Sequence, residues 1–110
     1  MIPDATIIDR LYILLGWRVN IRVEGPSMLP VLADGDRVVV DPSAKPAKGD
    51  IVVAYHPFKK SVSIVKRIVD ILPDGRYVLL GENLAESTDS RSFGTIAAAD
   101  IFGKVVSRIR

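Results

Sequence analysis

Ser27 lies in the stretch Val-Glu-Gly-Pro-Ser-Met-Leu-Pro, which leaves the backbone few conformations. Pro26 fixes its own φ and disfavours the helical region for Gly25, and Pro30 has the same effect on Leu29. A serine between such stiff elements is presented in one direction. That suits a nucleophile, and it equally suits a proline-rich turn between two strands. The choice depends on whether the rest of the chain supplies a base.

A serine hydroxyl becomes a good nucleophile only when a neighbouring base takes its proton. The chain of 110 residues has no cysteine and a single histidine, His56, between Tyr55 and Pro57. This position, at the end of an apolar strand, is typical of a turn residue. The sequence therefore predicts no thiolate nucleophile, no metal site and no cofactor. The base for Ser27 must be a carboxylate or a neutral lysine.

Lys66 is the candidate base because its neighbours are apolar. On a strand, Ile64, Lys66 and Ile68 share one face, while Arg67 lies on the other. A lysine facing an apolar site loses hydration, so its pKa falls below the ordinary value of about 10.4. Reaching about 7.5 needs a shift of ~3 units, which burial can supply. A lysine on the solvent face of an edge strand is the alternative.

The stretch 81–93 is almost without apolar residues but contains hydroxyls, carboxylates and an arginine close together. A hydroxyl here can hold the lysine amine in position. Asp89 can pair with Arg91 or with Arg67. A solvated loop is the alternative interpretation of the same residues.

The first 17 residues predict an amphipathic helix over 3–15. Pro3 and Asp4 suit a first turn, and apolar residues recur at helical spacing up to Leu15. The apolar run is far shorter than the roughly 20 residues that span a bilayer. We expect this face to pack on the domain's own sheet. The alternative is a membrane surface, which it would contact through Leu11, Leu14, Leu15 and Trp17.

From residue 19 onward the hydrophobic pattern changes to a period of two, which indicates strands. The predicted strands cover residues 19–23, 37–40, 51–55, 62–71, 77–80 and 101–109. Turn signals such as Asp-Gly-Asp at 34–36 and Pro-Asp-Gly at 73–75 separate them. The prediction is a mostly antiparallel β domain with one N-terminal helix. It spans 1–110 as a single unit, with the helix in 1–17 and the β core in 19–110.

The charge distribution argues against a nucleic-acid partner. The net charge is only +2, and the basic residues are scattered among acidic ones. No strip of basic and aromatic residues of the kind that stacks bases is present. Because neither a transmembrane segment nor a signal peptide is recognisable, we expect a cytoplasmic protein. Membrane contact and oligomeric state are left open by the sequence.

Four motifs, in order along the chain, resemble those of the type I signal peptidases, which are membrane-associated serine endopeptidases with a Ser-Lys dyad. They are Gly-Pro-Ser-Met-Leu-Pro at 25–30, Lys-Gly-Asp-Ile-Val-Val at 48–53, Lys-Arg-Ile-Val at 66–69, and the polar box at 81–91. The resemblance implies that Ser27 is the nucleophile and Lys66 the general base. It further implies supporting roles: Ser87 would orient the lysine, and a salt-bridge network would join Asp89, Arg91 and Arg67.

The chain departs from the family pattern at two positions. Glu82 stands where the final box usually has aspartate, and Gly25 stands where some members have a serine that helps bind the oxyanion. Because Pro26 has no N–H, the oxyanion hole must rest mainly on the backbone N–H of Ser27. The large second β domain and the membrane anchor of many relatives are not recognisable. This combination resembles the small soluble branch of the family, especially the nickel-type superoxide dismutase maturation proteases, which remove an N-terminal propeptide.

The resemblance therefore implies that the partner is a precursor protein bound as an extended peptide, with the nickel superoxide dismutase precursor as the specific candidate. Two other functions stay open. One is a self-cleaving repressor-type domain, which uses the same Ser-Lys chemistry on its own linker. The other is a non-catalytic β module that binds peptides.

Overall fold

The computed structural model describes residues 2–110 as one six-stranded sheet with short helices. The strands are β1 (Val19–Arg22), β2 (Arg37–Asp41), β3 (Ile51–Tyr55), β4 (Ser63–Ile71), β5 (Tyr77–Leu80) and β6 (Ile101–Ile109). The α-helices are α1 (Ile7–Leu14) and α2 (Ser90–Phe93), and single 3₁₀ turns cover Leu84–Glu86 and Ala98–Asp100. The predicted class, mostly antiparallel β with an N-terminal helix, is confirmed.

The strand order in the sheet is β1-β2-β6-β3-β4-β5, and every neighbouring pair is antiparallel. The last strand of the chain therefore lies between β2 and β3. Alternate residues of the central strand β3 contact opposite faces, with Ile51 and Val53 in one apolar cluster and Val52 and Ala54 in the other. The sheet thus has a packed core on both faces, which explains why β3 reads as a continuous apolar run.

The loop between β1 and β2 covers one face of the sheet. Met28 and Leu32 are fully buried there against the side chains of β2 and β3. The two ends of the loop are joined, since the Val23 N–H donates to Asp36 O (2.7 Å) and the Gly35 N–H donates to Val23 O (2.8 Å). Because Met28 follows Ser27 directly, the core itself anchors the candidate nucleophile.

The segment after β5 covers the opposite face. Phe93 and Ile96 are buried against Ile68 and Leu79. Tyr77 and Ile96 exchange both backbone hydrogen bonds, each 2.8 Å long. The polar stretch that precedes Phe93 is therefore held at both ends, by β5 and by this apolar contact.

The helix α1 begins at Ile7 and not at residue 3, so this boundary prediction is wrong. Thr6 and Asp9 form a capping box, in which the Asp9 N–H donates to Thr6 Oγ1 (3.2 Å) and the Thr6 N–H donates to Asp9 Oδ2 (2.9 Å). Before it, the chain pairs with the end of β6 through hydrogen bonds of Pro3 O and Ala5 N with Arg108. The cap and the pairing with β6 together determine where the helix starts.

The prediction that α1 packs on the sheet is also wrong. No residue of this helix is buried, and Ile7 and Leu14 are each 83% exposed. Leu15 and Trp17, just beyond the helix, are also exposed. Both faces of the sheet are already covered by other segments, which leaves the apolar side of α1 without a place in the core. No helix in the described part of the chain is long and apolar enough to cross a membrane.

Candidate active site

Ser27 lies in a tight turn that leads away from β1. Gly25 has a φ of +79°, in the left-handed region that favours glycine, and its N–H donates to Asp34 Oδ1 (2.8 Å). The carbonyl of Pro26 then accepts a hydrogen bond from the Leu29 N–H (3.2 Å). These contacts hold the half-buried Ser27 in the lining of a cleft with a volume of about 220 Å³.

Lys66 lies in the same cleft and is only 4% exposed. On β4 it is paired with Val52 of β3 and lies between Ile64 and Ile68, so its surroundings are apolar. Loss of hydration lowers the pKa of Lys66, and the positive charge of Arg91 lowers it further, against the opposing effect of Asp89. The alternative of a lysine on a solvent face is therefore excluded by the burial of this residue.

Ser87 connects Lys66 to a buried carboxylate. Lys66 Nζ donates to Ser87 Oγ (3.1 Å), and Ser87 Oγ donates to Asp89 Oδ2 (2.8 Å). A hydroxyl has one donor and two acceptor sites, so Ser87 can make both contacts at once. The Ser87 hydroxyl therefore positions the Lys66 amine and separates this amine from the Asp89 carboxylate.

Asp89 is the centre of the supporting network and is fully buried. Arg91 donates to both of its oxygens, from Nε (2.9 Å) and Nη2 (3.1 Å), and the Gly81 N–H donates to Oδ2 (3.0 Å). Burial alone would raise the pKa of Asp89, but the hydrogen bonds from Arg91, Gly81 and Ser87 outweigh it and hold this pKa below its usual range. Asp89 is thus a carboxylate at all ordinary pH values.

Arg67 does not belong to this network, so the expected link to Asp89 is corrected. Its guanidinium pairs with Glu82 and donates to the carbonyl of Gly49 (2.6 Å). The reason is the alternation of side chains on β4, which directs Lys66 and Arg67 to opposite faces. On its own face of β4, Arg67 pairs with Glu82, which stands at the position where the family usually has aspartate.

The segment 81–83 contacts the nucleophile turn directly, a role that the sequence did not predict. A Cβ on Gly81 would lie 2.2 Å from Ser87 Oγ and 2.6 Å from Ser27 O, so only glycine fits. Asn83 donates from its backbone N–H to Ser27 O (2.8 Å) and from Nδ2 to Pro26 O (3.2 Å). The only sequence signal for these roles was the place of both residues in the polar box.

The cleft lies between two strand edges. Residues 21–24 form one wall and residues 63–66 the other, with Ser27 at the end of the first and Lys66 at the end of the second. β1 is at the end of the sheet, and β5 pairs only with the second half of β4, from Arg67 to Ile71. Within residues 2–110, both walls therefore have backbone edges without a strand partner.

The structure brings Ser27 and Lys66 to one cleft and joins Lys66 to Ser87, Asp89 and Arg91. It places Arg67 elsewhere. Among the hydrogen bonds of residues 2–110 there is none between Lys66 and Ser27. Both side chains line the same cavity, and the Lys66 amine donates a hydrogen bond to Ser87.

The antiparallel β fold brings a serine and a buried lysine into one cleft, as expected for the signal peptidase-like class that the sequence motifs resemble. Residues 18–106 match the family model described as Peptidase S24-like, and the chain belongs to this family. The matched range includes the whole site and all six strands except the last three residues of β6. It leaves out residues 1–17, which contain α1.

The curated relatives agree with this assignment. Mitochondrial inner membrane protease subunit 1 of Xenopus tropicalis is 34% identical over 108 residues, which cover 77% of this chain and 65% of that protein. The protein of the same name from Schizosaccharomyces pombe is 31% identical, with 77% of this chain and 69% of that protein covered. A LexA repressor of Desulfatibacillum aliphaticivorans is 41% identical over 54 residues, 48% of this chain and 27% of that protein. The chain thus spans about two thirds of the length of the inner membrane protease subunits that it matches.

Proposed function

We propose that this protein is a serine endopeptidase that removes an N-terminal leader or propeptide from a precursor protein, with Ser27 as nucleophile and Lys66 as general base. The observation that carries the proposal is the presence of both side chains in one cleft, with Lys66 almost completely buried. A buried amine without a carboxylate in direct contact loses its proton more easily than a free lysine, which is the property a base for serine needs.

In the proposed reaction, neutral Lys66 takes the proton of Ser27 Oγ as this oxygen attacks the scissile carbonyl. Lys66 then gives the proton to the leaving amine, and water hydrolyses the acyl-enzyme by the same two steps. Ser87 accepts one N–H of the amine, so the lone pair of nitrogen is free to face Ser27. Asp89 and Arg91 hold Ser87 in place from behind.

The substrate is proposed to bind as an extended strand between the two walls of the cleft. Free backbone edges at residues 21–24 and 63–66 can both hydrogen-bond to an inserted segment, as in β-strand addition. Counting along the antiparallel sheet, β1 and β4 run in the same direction, so the inserted segment would have one orientation relative to both. The resemblance to nickel-type superoxide dismutase maturation proteases makes a nickel superoxide dismutase precursor the specific candidate substrate.

The test is incubation of that precursor with wild type and with Ser27→Ala, followed by mass spectrometry of the products. Wild type is expected to release the propeptide at one site, and the variant is expected to leave the precursor intact. A serine-directed acylating probe should label wild type and a Ser92→Ala control equally but not Ser27→Ala. Cleavage by Ser27→Ala at the wild-type rate would contradict the assignment of the nucleophile.

A self-cleaving repressor-type domain is the second candidate function, and the match to a LexA repressor favours it over a non-catalytic module. The intact mass of the chain after incubation alone at raised pH separates self-cleavage from propeptide removal. Self-cleavage shortens the chain without any partner, whereas a propeptide-removing enzyme keeps its mass. A non-catalytic peptide-binding module would show neither cleavage nor labelling of Ser27.

We also propose that α1 attaches the protein to a membrane surface. Its exposed apolar side includes Ile7 and Leu14, Trp17 follows the helix, and the exposed Arg10 can contact anionic headgroups. The relatives named as inner membrane protease subunits are consistent with attachment to a membrane. Wild type should sediment with vesicles of phosphatidylcholine and phosphatidylglycerol. Leu14→Glu should lose about tenfold or more of this binding, because one buried leucine supplies ~1.5 kcal/mol or more.

The matched control for the vesicle experiment is Phe58→Glu, which changes an exposed apolar residue to the same charge elsewhere; Phe58 is 77% exposed. This variant is expected to bind vesicles like wild type. Equal binding of Leu14→Glu and wild type would contradict attachment through α1. Equal loss in both variants would indicate a general effect of charge.

A further inference from the structure

Asn83 makes two hydrogen bonds to consecutive carbonyl groups of the nucleophile turn. Its side-chain Nδ2 donates to Pro26 O (3.2 Å), and its backbone N–H donates to Ser27 O (2.8 Å). The two bonds lie on either side of the Ser27 residue. They join this turn to the segment after β5, which otherwise supports Lys66.

The bond to Pro26 O has a consequence for the Ser27 N–H. The Pro26–Ser27 peptide is trans and planar, so its N–H points in the opposite direction from its carbonyl. A donor that fixes the carbonyl therefore fixes the N–H as well. Among residues 2–110 the Ser27 N–H has no hydrogen-bond partner, whereas Pro26 O accepts from both Asn83 and the Leu29 N–H.

We infer that Asn83 is a positioning residue that orients the Pro26–Ser27 peptide so that the Ser27 N–H faces the cleft as the oxyanion donor. This inference rests on the proposed peptidase function. The Leu29 N–H fixes the carbonyl only within the turn, since both groups belong to it. Asn83 fixes the turn relative to the rest of the site.

The Ser27 N–H is the one backbone donor that residues 25–27 can offer to the oxyanion. Gly25 has no hydroxyl to offer, its N–H is occupied by Asp34, and Pro26 has no N–H. One backbone N–H must therefore be aimed accurately at the developing oxyanion, because such donors act through their preorganised geometry. A hydrogen bond to the carbonyl also polarises the peptide and strengthens its N–H as a donor.

Asn83 is itself held by the strand that carries the base. The neighbouring Glu82 pairs with Arg67, which follows Lys66 on β4. The N–H of Gly81, two residues before Asn83, donates to Asp89 (3.0 Å). Strand β4 thus carries Lys66 itself, and its next residue, Arg67, holds the segment that contains Asn83 by pairing with Glu82. The base and the oxyanion donor are aligned through a common element.

The test compares wild type with Asn83→Ala and Asn83→Asp in steady-state cleavage of a peptide that spans the processing site. We expect kcat to fall about tenfold in Asn83→Ala, less than the 10²–10³-fold that removal of an oxyanion donor itself causes. The loss in Asn83→Asp should be larger, because a carboxylate repels Pro26 O. In Asn83→Ala, KM and the midpoint of the pH–rate profile should stay unchanged, since this variant alters neither the strand edges nor the charges around Lys66.

A peptide aldehyde, which forms a tetrahedral adduct with a serine nucleophile, supplies a second measurement. Its affinity should fall in parallel with kcat, while affinity for the uncleaved peptide, measured in a Ser27→Ala background, should not change. The ¹⁵N–¹H resonance of Ser27 should also move in Asn83→Asp, a readout that needs no activity. Thr95→Val, which removes an equally local hydrogen bond from Arg76, is the control and should leave all these quantities unchanged.

The outcomes are distinct. If wild type does not cleave the peptide, the proposed function fails; if wild type cleaves and both Asn83 variants keep its kcat, only the inference about Asn83 fails. In Asn83→Ala, a rise in KM alone or a displaced pH midpoint would also overturn it, since Asn83 would then act on the substrate or on Lys66. Should Asn83→Ala not fold, Asn83→Asp retains the shape and the backbone contact and decides the question.

Discussion

Lys66→Met is expected to lose peptidase activity by about 10³-fold or more while it remains folded. Removal of the base from a catalytic unit of this kind generally costs as much as removal of the nucleophile. Methionine fills a similar volume and needs no hydrogen-bond partner, so the apolar surroundings between Ile64 and Ile68 accept it. Steady-state cleavage of the precursor, with thermal unfolding to check the fold, measures both effects.

The pH dependence of wild type follows from the same residue. Burial lowers the pKa of Lys66, so the neutral, active form appears at a lower pH than for a free lysine at about 10.4. Activity should therefore rise with pH through the lowered pKa and reach its plateau before free lysines lose their protons. Activity only at strongly alkaline pH would contradict the assignment of Lys66 as the base.

Stability should respond to pH in the same direction. The native pKa of Lys66 lies below its unfolded value, so between the two the unfolded chain binds more protons than the native one. The free energy of unfolding contributed by this group therefore rises with pH across that window and is constant below the native pKa. Lys66→Met should remove this slope. Lys45→Met, at an exposed position, should leave both the slope and the activity unchanged.

Asp89→Asn is expected to lower the free energy of unfolding by about 3 kcal/mol and to reduce activity as well. The buried carboxylate accepts hydrogen bonds from Arg91, Ser87 and the Gly81 N–H. An amide turns one acceptor into a donor and leaves at least one of these donors unpaired in the interior. Because Ser87 holds Lys66, the base would also lose its support.

The contribution of Asp89 to stability should depend on pH with a definite sign. Its native pKa lies below the unfolded value of about 3.9, so the stabilisation is fully present above that pH. It is lost as the pH falls toward the native pKa. The difference between wild type and Asp89→Asn should thus be constant near neutral pH and shrink below about pH 4. Urea unfolding at a series of pH values measures it.

Asp100→Asn is the matched control for Asp89→Asn, because Asp100 pairs with Lys60, whose side chain is 59% exposed. An exposed ion pair contributes about 1 kcal/mol or less. A loss in Asp89→Asn as small as that of the control would show that the buried network does not stabilise the fold. An unchanged kcat would show that Ser87 positions Lys66 without help from Asp89.

The strands were predictable because their signals are local. Alternating apolar residues and turn dipeptides indicated all six strands, and the apolar neighbours of Lys66 indicated its burial. The helix boundary was misjudged because Pro3 and Asp4 suit a first turn as well as Thr6 does. The capping box and the pairing of residues 3–5 with β6 decided between them. The second of these contacts joins opposite ends of the chain.

The sequence by itself determined the fold class, the serine held in a stiff turn, and a lysine among apolar residues on a strand. These properties depend on neighbours within a few positions, where residue type and period carry the information. Only the tertiary structure decided that Arg67 pairs with Glu82, that α1 has no place on the sheet, and that Asn83 holds the Ser27 turn. Each of these depends on which segments meet in space, and a contact between positions as distant as 26 and 83 has no periodic signature in one sequence.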